Sequence, residues 1–113
     1  MQIVIPFKER FREPMISGVK DMTSRTACYG RVGDYFNAFG HTFVLTSVVE
    51  RHFDFIVENW KAEGCSSKED FLAVWRDIHP RRALNMKAKF WVHKFQDISS
   101  VQSDKKESKT DGS

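Results

Sequence analysis

The chain predicts an α+β domain in which a small curved β-sheet or barrel is covered by helices. Three observations lead to this reading. Phe-, Val-, Leu- and Thr-rich strand-like segments precede a region whose apolar spacing changes to the helical period. An aromatic strand-like segment then returns at 87–96. Finally, ten phenylalanines and an apolar fraction of 41% in 113 residues provide for one hydrophobic core and no second domain.

Residues 2–7 are short and β-branched and are expected to form a first strand. Phe7, Phe11 and Met15 then recur four apart, a helical spacing over 8–17 that Pro14 breaks or restarts. Gly18 suits the left-handed position that closes a helix. Residues 22–26 follow as a strand, whose two-residue period puts Thr23 and Arg25 on one face, with Lys20 in the turn before it. Gly33-Asp34 is turn chemistry, and 35–38 and 42–50 read as antiparallel strands across Phe39-Gly40-His41. Phe53, Ile56, Val57 and Trp60 mark the inward side of a helix that Gly64 stops. Ser66 and Glu69 form a capping-box pattern for a second helix, with Phe71, Val74, Trp75 and Ile78 inward and Pro80 at its end. The domain is expected to span 1–98, and 99–113 to be a disordered polar tail because it lacks apolar residues to pack.

The net charge of +3 belongs to the folded part, since the tail balances Lys105, Lys106 and Lys109 against Asp104, Glu107 and Asp111. Arg81, Arg82, Lys87, Lys89 and Lys94 occur with no acid among them. Such a stretch can meet phosphates or an RNA backbone, or be a solvated loop and strand edge guarded by lysines. Trp91 alternates with Lys89 and His93 on one strand face, an arrangement that can stack a base or simply form core. Cys28 and Cys65 are too few and too far apart for a zinc site or a disulfide framework and read as reduced thiols. Cys28 paired with one of His41, His52, His79 or His93 is a further nucleophile candidate. No apolar run approaches the roughly twenty residues of a membrane span, and the start lacks a signal-peptide pattern, so a cytoplasmic protein is expected.

The segment Gly18-Val19-Lys20-Asp21-Met22-Thr23-Ser24-Arg25 gathers an amine, a hydroxyl and a guanidinium directly after a helix-ending glycine. Threonine is a poor nucleophile at its own pKa, and a lysine neutralised by burial can serve as its base. The plainer alternative is an exposed Lys-Asp turn with Arg25 in a surface ion pair.

The order strand, helix, Gly18-x-Lys20-x-x-Thr23-x-Arg25, Gly33-Asp34, Glu63-Gly64-x-Ser66, Trp75-x-x-Ile78-His79-Pro80 and a last aromatic strand through Phe95 resembles ASCH-domain proteins over residues 2–96. The resemblance implies a PUA-like β-barrel. Within that family the chain is similar to small bacterial amidohydrolases that remove the acetyl group from N(4)-acetylcytidine. By position in the motifs, their proton-accepting lysine falls on Lys20, their nucleophilic threonine on Thr23 and their proton-donating glutamate on Glu63. Arg25 would stabilise an oxyanion or hold a carbonyl of the base. Asp21 stands where the family commonly has threonine and is expected to favour a protonated Lys20. Ser24 stands where an apolar strand residue is usual.

The implied function is an amidohydrolase acting on N(4)-acetylcytidine or a related modified nucleoside, without metal or cofactor; the sequence does not give the oligomeric state, for which a monomer is the default. The alternative is an ASCH module that binds RNA or a nucleotide-like ligand without catalysis, using Arg25, Arg81, Arg82, Lys89 and Trp91.

Overall fold

A two-residue turn at Phe39 and Gly40 folds strand β2 (Tyr35–Ala38) back along the long strand β3 (His41–His52). Strand β4 (Lys89–Asp97) then pairs with β3, and strand β1 (Met22–Arg25) pairs with β4, so the antiparallel sheet has the order β1-β4-β3-β2. A β-bulge between Leu45 and Ser47 bends β3, and the sheet curls into a half-barrel. Among the described residues three helices are added to the sheet: α1 (Arg12–Ser17), entered through a 3₁₀ turn at Glu9–Phe11, then α2 (Phe53–Glu58) and α3 (Lys68–Ile78). This computed structural model describes residues 1–99, so the expected tail lies, from residue 100 onward, outside the described residues.

The core has two aromatic centres. Phe36 stacks on Phe43 and meets Phe95 edge-on, both at 5.4 Å between ring centroids, with Phe7 stacked on Phe36 at 5.6 Å. Phe53 packs on Trp75 at 5.0 Å and on Phe90 at 5.6 Å, which joins α2 and α3 to the sheet. Trp60 packs against the core while staying partly exposed, and Ile78, expected to point inward, is 43% exposed.

Three sequence expectations change. Residues 2–7 form no strand: Gln2 makes a single parallel bridge to Tyr35, and Pro6, with no N–H, does not continue a ladder. The helix from Phe53 ends at Glu58 instead of Gly64, because the Asn59 side chain donates to the Phe55 carbonyl (2.7 Å) and the chain continues as turns. The capping box lies one residue later than Ser66 and Glu69. Ser67 Oγ accepts from the Asp70 N–H, and the Asp70 carboxylate accepts from the Ser66 N–H, each at 2.9 Å. Among the described residues no helix is long and apolar enough to cross a membrane.

Candidate active site around a buried lysine and glutamate

Gly18 closes α1 in the left-handed conformation and turns the chain so that Lys20 enters the interior. The Lys20 N–H donates to the Pro14 carbonyl (2.9 Å) and the Asp21 N–H to the Ala62 carbonyl (3.0 Å), fixing this segment between α1 and the turns after α2. Lys20 is 3% exposed. Its Nζ donates to the carbonyls of Met22 (2.6 Å) and Glu63 (2.7 Å), and Glu63 Oε1 lies 3.7 Å away.

The stem of Lys20 runs across Gly64, where an added Cβ would sit 2.9 Å from Lys20 Cδ and 3.0 Å from its Cβ. Gly64 also holds φ at +92°, so the Glu63-Gly64 pair has a steric and a conformational reason. Gly64→Ala is expected to cost about 1–3 kcal/mol of stability and to displace the Lys20 amine. Denaturant unfolding together with a turnover assay checks both effects.

Burial pushes the Lys20 amine below the usual lysine range; the Glu63 carboxylate opposes this and the Arg25 cation adds to it. Burial likewise pushes the Glu63 carboxyl above the usual carboxylate range, against the pull of Lys20. The two groups therefore approach a neutral amine facing a protonated acid, a state with the same proton count as the ion pair. Asp21 does not act as expected from sequence: it is exposed, and the carboxylate that bears on Lys20 is that of Glu63.

Thr23 is 4% exposed, and its Oγ1 accepts a hydrogen bond from Arg25 Nε at 3.0 Å. Arg25 is clamped in turn: its Nη2 donates to the Pro6 carbonyl (2.6 Å), and its guanidinium lies 5.1 Å from the Phe7 ring and 5.6 Å from the Tyr29 ring. Ser24 Oγ donates to Glu63 Oε2 at 2.7 Å. Lys20, Thr23, Ser24, Arg25 and Glu63 all line one cavity of about 440 Å³, whose apolar wall is Phe53, Ile56, Phe71, Val74, Trp75 and Phe90. That volume is in the range of small-molecule sites. His79 also lines it, packed on Trp75, and burial with the nearby Arg82 holds its imidazole below the usual histidine range.

The other residues singled out in the sequence do not line this cavity. Arg81 and Lys89 are exposed, and Arg82 lays its guanidinium 4.9 Å from the centre of the Phe90 ring. Trp91 is half-buried and stands opposite Arg25 in the β1–β4 register. The face it shares with His93 is core at that residue: His93 is 0% exposed. His93 Nε2 accepts from the Tyr29 N–H (3.0 Å), so Nδ1 carries the hydrogen and donates to the Trp91 carbonyl (3.1 Å). Cys28 is exposed and donates to the Gly30 carbonyl, whereas Cys65 lines the cavity with its thiol pushed up by burial. Sequence reasoning did not single out Ser24 or Cys65 for the site. The one signal for Ser24 was a hydroxyl where an apolar strand residue is usual. Among the described residues no three His, Cys, Asp or Glu side chains are gathered to hold a metal ion.

Fold and cavity together define a small α+β domain with an aromatic-walled pocket whose polar end holds a buried lysine, a buried glutamate and a threonine. Two solved structures share this architecture. The crystal structure of the hypothetical protein PH0355 matches with a TM-score of 0.60 and 17% identity, over 81% of this chain and 94% of that one. The ASCH domain from Lactobacillus crispatus JV V101 matches with a TM-score of 0.57 and 14% identity, over 86% of this chain and 78% of that one. The fold of this chain is thus that of an ASCH domain, the PUA-like α+β architecture expected from the sequence. No protein-family model and no curated protein matches the sequence.

Proposed function

We propose that the chain is an amidohydrolase that removes the acetyl group from N(4)-acetylcytidine or a related modified nucleoside. The observation that carries this reading is the buried Lys20 and Glu63 pair, 3.7 Å apart, lining the same cavity as a threonine hydroxyl already engaged by Arg25. A neutral amine has two N–H groups, and both are occupied by the Met22 and Glu63 carbonyls, which leaves its lone pair as an acceptor.

In this mechanism Lys20 takes the Thr23 Oγ proton and the oxygen attacks the acetyl carbonyl. Arg25 helps because its Nε bond to Oγ1 favours negative charge there and leaves the hydroxyl proton to point elsewhere. The C–N bond breaks with its electron pair going to nitrogen, and Glu63 protonates that nitrogen. Cytidine departs and Thr23 carries the acetyl group. Water then gives a proton to the Glu63 carboxylate and attacks the ester, while the Lys20 ammonium returns its proton to Thr23 Oγ and acetic acid leaves, losing its remaining proton to solvent. Lys20 is again neutral and Glu63 again protonated, the state that burial favours. The aromatic wall offers flat apolar surfaces to a base.

The test is chromatographic conversion of N(4)-acetylcytidine to cytidine by the purified protein, with Lys20→Ala beside it. Conversion that Lys20→Ala loses is the expected result. Absence of conversion at high enzyme concentration, with the nucleoside still bound, overturns the hydrolase and leaves a ligand-binding module.

A further inference from the structure

We infer that Ser24 is a catalytic proton relay, the hydroxyl through which Glu63 delivers its proton to the leaving nitrogen. The inference rests on the amidohydrolase reading and adds to it a residue that the resemblance does not supply. Glu63 is 7% exposed, and among the described residues its carboxyl has Ser24 Oγ as a hydrogen-bond partner at 2.7 Å on Oε2, with Lys20 Nζ at 3.7 Å from Oε1. Ser24 is the more exposed of the two bonded groups and lines the same cavity.

A hydroxyl suits this position because its hydrogen rotates and its oxygen both donates and accepts. With Glu63 protonated on Oε2, that proton is donated to Ser24 Oγ, and the serine's own hydrogen is free to point into the cavity. As the C–N bond breaks, the serine hydrogen passes to the leaving nitrogen and the Glu63 proton passes to Ser24 Oγ. Ser24 ends as a hydroxyl donating to a Glu63 carboxylate, which is the hydrogen bond in the structure. The net change is one proton moved from Glu63 to nitrogen, with no charge left on serine. The same bond favours the ionised Glu63 and so eases release of the proton.

The relay predicts a dependence on the leaving group that a merely structural serine does not. Two substrates are compared: N(4)-acetylcytidine, whose nitrogen must be protonated to leave, and para-nitrophenyl acetate, whose phenolate leaves without a proton. Ser24→Ala is expected to lower kcat on the amide by about 10²–10⁴-fold, the usual contribution of acid catalysis, and to slow the first burst of phenolate release from the ester far less. Ser24→Thr restores the amide rate. Equal loss on both substrates, or no loss on the amide, overturns the relay. The parent protein and Thr23→Ala separate the two levels: no amide conversion by the parent overturns the amidohydrolase reading and the relay with it, whereas retention of both activities in Thr23→Ala overturns Thr23 as the nucleophile. A readout that needs no turnover is infrared titration of the Glu63 carboxyl, identified by its absence in Glu63→Gln. In Ser24→Ala this carboxyl is expected to titrate at higher pH, and an unchanged titration overturns the coupling even in an inactive protein.

Discussion

Thr23→Ala is expected to remove at least about 10⁴-fold of the amidase turnover while leaving the fold in place, because it removes the attacking oxygen that Arg25 Nε engages. The structural cost is small by comparison. The variant loses one hydrogen bond, from Arg25 Nε at 3.0 Å, worth about 1 kcal/mol, and Arg25 keeps its bond to the Pro6 carbonyl and its place between Phe7 and Tyr29. Denaturant unfolding and single-turnover kinetics check the two halves. Mass spectrometry of the parent protein, quenched during turnover, is expected to find the acetyl group on the peptide containing Thr23 and to find none in the variant. An active Thr23→Ala protein would sink the assignment of the nucleophile.

Glu63→Gln is the second large expected effect, a loss of about 10²–10⁴-fold on the amide. Its pH signature is as informative as its size. The parent profile should be bell-shaped, falling at low pH as Lys20 gains a proton and at high pH as Glu63 loses one, with the Lys20 limb below the ordinary lysine value and the Glu63 limb above the ordinary carboxylate value. The sign for Lys20 follows from its neighbours. Glu63 raises the Lys20 pKa only when it is ionised, and across the acidic limb it is already protonated, as uncharged there as the glutamine that replaces it. Glu63→Gln should therefore leave the acidic limb in place on para-nitrophenyl acetate, whose phenolate needs no proton, and abolish the alkaline limb on the amide. Loss of the acidic limb in Glu63→Gln would mean that Glu63, and not Lys20, titrates there. Glutamine retains the bulk of the buried carboxyl, so packing loss does not confuse the comparison.

Much of this was legible in the sequence because it is local. Gly18 as a helix stop, the β1 face shared by Thr23 and Arg25, the Phe39-Gly40 reversal and the apolar stripe of α3 each depend on a few consecutive residues. Expectations failed where a neighbour in space overrides the local signal. The β-branched start at 2–7 has the composition of a strand but only one bridge to the sheet edge. Asp21 is next to Lys20 in sequence, yet its side chain faces solvent while Glu63 arrives from a distant turn. The Ser24 to Glu63 bond joins residues 39 apart and has no sequence pattern of its own. Basic residues at 81–89 are adjacent along the chain, but none of them lines the cavity.

Strand β1, which carries Thr23, Ser24 and Arg25, has its ladder with β4 alone, Thr23 standing opposite His93 and Arg25 opposite Trp91. During synthesis the reacting groups emerge early, and the strand that fixes them emerges last of the four. Closing so long a loop is entropically slow, so assembly of this corner is a late event on the folding route. A nascent chain that stops short of β4 holds every residue of the proposed machinery and has no strand on which to align three of them. Turnover would then be a report of completed folding, silent in any partly made or partly folded molecule.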